Sequence, residues 1–108
     1  MAEGADGAVD FAYLERFAAG DAAVIAEVFA LFRQQAAEWR PRLRAGEPGW
    51  RDVAHTIKGS ARGIGANGLG EAAARAEEVG PEGLPQVVAA LDDVLAAIAA
   101  YEGRRARG

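Results

Sequence analysis

Cysteine is absent from this 108-residue chain, which excludes disulfide staples and thiolate metal sites. Aromatic residues make up only 7%, and the β-branched residues are scattered, so no segment carries the alternation of a strand. Positive charge is in short supply too. Twelve Lys and Arg against 16 Asp and Glu leave a formal net charge of −4, which argues against nucleic acid or an anionic membrane as the main partner. No apolar run approaches the ~20 residues expected of a membrane span. The opening MAEGADGAVDF has neither the basic nor the apolar region of a secretory signal. These absences predict a soluble cytoplasmic protein.

What is present points to helices. Hydrophobic residues reach 51%, much of that share alanine, which favours helix and lets helices approach closely. The length suits one domain. Residues 1–9, small and polar, are expected to be a flexible N-terminus. Asp10 reads as the N-cap of a short helix to about Ala18, with Phe11, Leu14 and Phe17 on one face; Gly20 closes it and Asp21 caps the next.

A long helix is predicted from about Ala22 to Leu43, with Ile25, Val28, Phe32, Ala36, Trp39 and Leu43 as its seam and Pro41 breaking or kinking its end. After the AGEPG loop, a third helix should run from about Trp50 to Ile64, burying Trp50, Val53, Ala54, Ile57, Ala61 and Ile64, with Gly65 just past its end. Asn67 is expected to cap a fourth helix to about Val79, with Leu69, Ala72, Ala73 and Ala76 inward. GPEG breaks the chain before a last helix from about Leu84 to Tyr101 or beyond, with seam Leu84, Val87, Val88, Leu91, Val94, Leu95, Ile98 and Tyr101. Short connections between four longer helices predict an all-α, antiparallel up-down four-helix bundle, capped by the short N-terminal helix. Residues 10–103 are assigned to that bundle. Residues 104–108, with Arg104, Arg105 and Arg107, are assigned to a basic C-terminal tail whose cations complement a helix C-terminus.

The stretch AHTIKGSARGIGA, residues 54–66, contains the single histidine, His55. It also carries Gly59, Gly63 and Gly65, although glycine weakens a helix by about 1 kcal/mol relative to alanine. At about 100° per residue, His55 falls about 200° from Val53 and from Ile57, so it points away from the core. Lys58, Gly59 and Arg62 continue the same exposed stripe, with Gly63 beside it. A neutral exposed imidazole can attack phosphorus. Lys58 can neutralise phosphoryl oxygens, and Gly59 leaves room for a partner's backbone to come close. With no second histidine, serine triad or carboxylate cluster expected nearby, such a nucleophile suits an acceptor and carrier better than a turnover enzyme. A plain surface histidine among solvated charges is the alternative, and the glycines could instead permit tight helix packing. No metal site is expected, since no first shell of ligands accompanies His55.

His55-Thr56-Ile57-Lys58-Gly59-Ser60-Ala61, followed by Gly65-Ala66 and Leu69, resembles the signature of the histidine-containing phosphotransfer (HPt) domains of two-component phosphorelays. The opening VDFAYLERFAAGDAAVIAEVFALF is similar to the start of such domains, and the resemblance covers about residues 9–101. Glu77 stands where family members often have a Leu-Glu pair, with Ala76 in place of the leucine.

The resemblance implies a bacterial phosphoprotein that relays a phosphoryl group between response-regulator receiver aspartates through reversible phosphorylation of His55, on Nε2. Lys58 would stabilise the phosphoryl group and Gly59 would keep the docking surface open. No cofactor is implied in this chain, and Mg²⁺ is expected in the partner receiver domain. The implied partners are receiver domains and a hybrid histidine kinase, met by a monomer without autonomous kinase activity. Arg62 and Gly63 join the docking surface by their place on the stripe; for Arg62 a solvated surface charge is the alternative. Val24 and Leu31, off the seam of the second helix, are docking candidates, unless the first helix covers them. The phospho-accepting input domain of chemotaxis-type kinases shares the His-x-x-Lys-Gly core and is one alternative. A non-catalytic helical bundle that only binds partners is the other.

Overall fold

The computed structural model describes residues 7–107; the expectation for residues 1–6 lies outside it. Five α-helices follow one another: α1 (Phe11–Phe17), α2 (Ala22–Trp39), α3 (Trp50–Gly63), α4 (Asn67–Val79) and α5 (Leu84–Arg107). Short 3-10 turns, Arg40–Arg42 and Pro81–Gly83, follow α2 and precede α5. The described residues contain no strand. α2 to α5 form the antiparallel bundle and α1 caps it.

The helix starts follow local chemistry. The Asp10 carboxylate accepts from the Tyr13 N–H at 3.0 Å, and that of Asp21 from Ala23 and Val24 at 3.0 and 3.3 Å. Each satisfies backbone donors that a helix start leaves open. Pro41 ends α2 as expected, since its ring and missing N–H do not suit a helix interior. Asn67, by contrast, does not cap α4. It is the first helical residue, preceded by buried Ala66, whose N–H reaches back to the Ala61 carbonyl at 2.8 Å. That tight return passes through Gly65 at φ +80°, a left-handed conformation suited to glycine.

The core corrects the predicted seam of α2. Phe29, not Val28, is fully buried; Val28 is only half-buried. The Phe29 ring meets Phe11 of α1 and Tyr101 of α5 edge-on, with centroids 6.1 and 5.8 Å apart, while Phe11 stacks on Tyr101 at 4.4 Å. These rings tie three helices together, each pair adding about 0.5–1.5 kcal/mol beyond burial. The Tyr101 hydroxyl also donates to Glu15 of α1 at 2.7 Å. Val9 is buried, so the chain is seated on the core one residue before the predicted domain start. Phe17, expected on the inner face of α1, is 66% exposed, because α1 ends there and rolls that edge outward.

α3 and α4 pair closely through small residues, with Ala54, Ala61, Ala73 and Ala76 all fully buried. α5 is long and apolar enough to cross a membrane by length and composition alone, although Asp92 and Asp93 interrupt its apolar residues. Within the bundle, however, Leu84, Val87, Leu91, Val94, Ala97, Ile98 and Tyr101 are buried, so its apolar side is a core face. Arg104 and Arg105 are part of its last turns rather than a separate tail, and Arg105 lies over the Tyr101 ring.

Candidate functional site

α3 presents its core face through Val53, Ala54, Ile57 and Ala61. His55 must therefore look outward, and its side chain is 68% exposed. The ring is not unattended. Glu77, near the end of α4, brings Oε2 within 3.0 Å of His55 Nδ1. Its other oxygen, Oε1, lies 2.9 Å from Lys58 Nζ. One carboxylate thus bridges the imidazole and the ammonium.

Glu77 and Lys58 are both more sheltered than His55, with side chains 21% and 26% exposed. The Lys58 ammonium foremost, and His55 after it, hold the Glu77 carboxyl below the usual carboxylate range, against the opposing pull of its own partial burial. Glu77 is anchored further by Arg51, whose guanidinium donates to its backbone carbonyl. A carboxylate on Nδ1 fixes the ring as the Nδ1–H tautomer and leaves the Nε2 lone pair facing solvent.

The sequence placed Glu77 only by its resemblance to the family's Leu-Glu pair and gave it no role; the structure brings this one carboxylate, not a cluster, onto His55. A signal existed. The short connection around Gly65 folds α3 and α4 into a hairpin, so residues about equally far from it lie level. His55 stands ten residues before Gly65 and Glu77 twelve after it.

The other stripe residues divide by flank. Gly59, one turn from His55, and Gly63, two turns on, have nothing within 4 Å of where a Cβ would stand. Open space at both positions favours an approach surface over a packing device. Arg62 is exposed, but its chain lies across Gly70 of α4, 3.1 Å from where a Cβ on that glycine would sit. It therefore sits on the Lys58 flank.

On the opposite flank, Ser60, Gly63 and Ile64 form one wall of a shallow groove of about 320 Å³. Leu14 and Phe17 of α1 and Val28, Leu31, Phe32 and Gln35 of α2 form the rest. Leu31 is 55% exposed, so the first helix does not cover it. Val24 is also exposed and lies on the stripe of Val28 and Leu31, one turn earlier, outside the groove lining. Phe17, never a site candidate from sequence, joins Leu31 to make the apolar rim. Among the described residues no three metal-ligating side chains meet.

The Hpt domain family matches residues 27–101, a span holding His55, Lys58, Gly59 and Glu77. This chain belongs to the Hpt domain family. The crystal structure of histidine phosphotransferase ShpA from Caulobacter crescentus is similar to this Hpt domain at 59% identity and a TM-score of 0.86. The match covers 93% of this chain and 95% of that one. No curated protein sequence gives a significant match. The Hpt domain acts as a phosphorelay carrier.

Proposed function

We propose that His55 is the phosphoryl acceptor of this Hpt domain, and that it takes the group on Nε2 from the phospho-aspartate of a response-regulator receiver. The observation that carries the assignment is an exposed imidazole whose Nδ1 edge is held by a carboxylate at 3.0 Å, leaving the Nε2 edge open to a partner. The Nε2 lone pair forms the P–N bond as the P–O bond to the donor aspartate breaks. The aspartate leaves as a carboxylate, and the imidazole keeps its Nδ1 proton. Onward transfer reverses these bonds with a second receiver.

Lys58 offers a cation to the phosphoryl oxygens in transit. It starts from an ion pair with Glu77, so it reaches the group by swinging about a fixed stem. Gly59 and Gly63 leave the face bare beside the reacting atom, and the rim of Phe17 and Leu31 offers apolar surface for the receiver to bury. Val24 extends that stripe, and Arg62 faces acidic groups around the receiver's own site. Mg²⁺ belongs to the receiver. The working unit is a monomer in the cytoplasm, charged from a hybrid histidine kinase by way of its receiver and without kinase activity of its own.

The test is transfer from a phosphorylated receiver to the wild type and to His55→Gln. Label should appear on the wild type alone, lost in acid and retained in alkali after denaturation. Equal labelling of His55→Gln would remove His55 from the acceptor role.

A further inference from the structure

Glu77 also bears on the step in which the phosphoryl group leaves. We propose that Glu77 holds the proton on Nδ1 of phosphorylated His55, so that the ring departs as neutral imidazole and onward transfer is insensitive to pH from neutral into alkaline solution. The proposal rests on His55 being the acceptor.

When Nε2 bonds to phosphorus and Nδ1 keeps its proton, the ring becomes cationic. If that proton is then lost to water, breaking the P–N bond must expel an imidazolate anion, a far poorer leaving group. If it is kept, the electron pair of the P–N bond returns to Nε2 and the ring leaves neutral. The receiver's aspartate oxygen forms the new P–O bond, and no proton has to be delivered. Retention of one proton therefore decides how readily the carrier discharges.

The geometry suits retention. Glu77 Oε2 lies 3.0 Å from Nδ1, on the sheltered side of an otherwise exposed ring. A hydrogen bond to an ionised acceptor is roughly twice as strong as one between neutral groups. Glutamine would accept the same hydrogen bond without the charge. The charged groups around the ring come from three helices. Glu77 comes from α4. From α3 come Lys58, which is paired with Glu77, Arg51, which is turned to the Glu77 carbonyl, and Asp52. Glu38 and Arg42, from α2 and the turn after it, line a cleft with Asp52 and Thr56. Of these, Glu77 is the carboxylate in hydrogen-bond contact with Nδ1.

Glu77 is a positioning residue, and the test must read the proton itself. An isolated receiver domain charged with acetyl phosphate loads the protein, and the rate of onward transfer to a fresh receiver is followed from pH 6.5 to 9. The wild-type rate should stay within about twofold, while that of Glu77→Gln falls by up to about tenfold per pH unit on the alkaline side. Parallel profiles for the two proteins would overturn the proposal.

Independently of any variant, ¹⁵N spectra of the phosphorylated wild type at pH 8.5 should show Nδ1 protonated. A deprotonated Nδ1 would overturn the proposal even if Glu77→Gln failed to fold. Failure of the wild type to take up label would instead sink the acceptor assignment, and this proposal with it.

Discussion

Gly59→Gln should make the protein more stable and a worse phosphate carrier. Gly59 lies inside α3, one turn from His55, and nothing stands within 4 Å of the place a Cβ would take. Replacing a helix-interior glycine with a good helix former where nothing clashes gains about 0.5–1 kcal/mol. In a domain of this size that raises Tm by about 2–6 °C. The same side chain would stand where a receiver must come close to His55. Overfilling a packed interface by such a group costs about 1–3 kcal/mol, a fall of about 5- to 150-fold in kcat/KM for transfer.

The assay pairs a thermal melt followed by circular dichroism with single-turnover transfer from a phosphorylated receiver. Gly83→Ala is the contrast, because its Cβ would sit 2.9 Å from the Ala76 Cα and 3.2 Å from its Cβ. That variant should lose stability through crowding far from the approach face. A Gly59→Gln protein that melts lower, or that transfers within about twofold of the wild type, would refute the idea that the bare helix face exists for a partner.

Phe17→Ser and Leu31→Ser each remove exposed apolar surface, so stability should change by no more than about 0.5 kcal/mol while the KM for a phosphorylated receiver rises; an unchanged KM for both would remove the groove from docking. Lys58→Ala should slow transfer without abolishing the fold, and should cost about 1 kcal/mol in urea denaturation because Glu77 Oε1 loses its cation; wild-type transfer rates would deny Lys58 its role. The Glu77 and Asp92 carboxyls are both held below their ordinary values of 4.5 and 3.8, by Lys58 and by Arg40 respectively. Their stabilisation is present above those values and lost as pH falls through the lower folded ones. The urea midpoint should therefore hold from pH 7 to 5 and drop below about pH 4, and a midpoint unchanged at pH 3 would contradict this.

Much of the arrangement was legible because each helix carries its own punctuation. Asp10, Asp21, Pro41, Gly65 and the GPEG break act through neighbouring backbone, and all five fall where the chain turns or starts a helix. Val28 and Phe29 show where such reading stops. Both lie at helical spacing from Ile25 and Phe32, and only the positions of Phe11 and Tyr101 in space decide that the larger side chain goes inside. His55 pointing outward followed from the burial of its neighbours. Glu77 meeting Nδ1 depended on how α3 and α4 register across their turn, which no single-helix pattern contains. Phe17 was misplaced for a related reason: in a helix of seven residues the last side chain follows the neighbours more than the period.

The Asp10 N–H donates to the Gly65 carbonyl at 2.9 Å, and a Cβ on Gly65 would stand 3.1 Å from the Asp10 oxygen and from the Tyr13 ring. The residue that turns α3 into α4 is thus also the seat of α1, and α1 carries Phe17. In a genetic screen for lost signalling, substitutions at Gly65 would score alongside those that touch the receiver, although Gly65 is buried and meets no partner. Hits mapped by phenotype alone would draw the recognition surface one layer too deep.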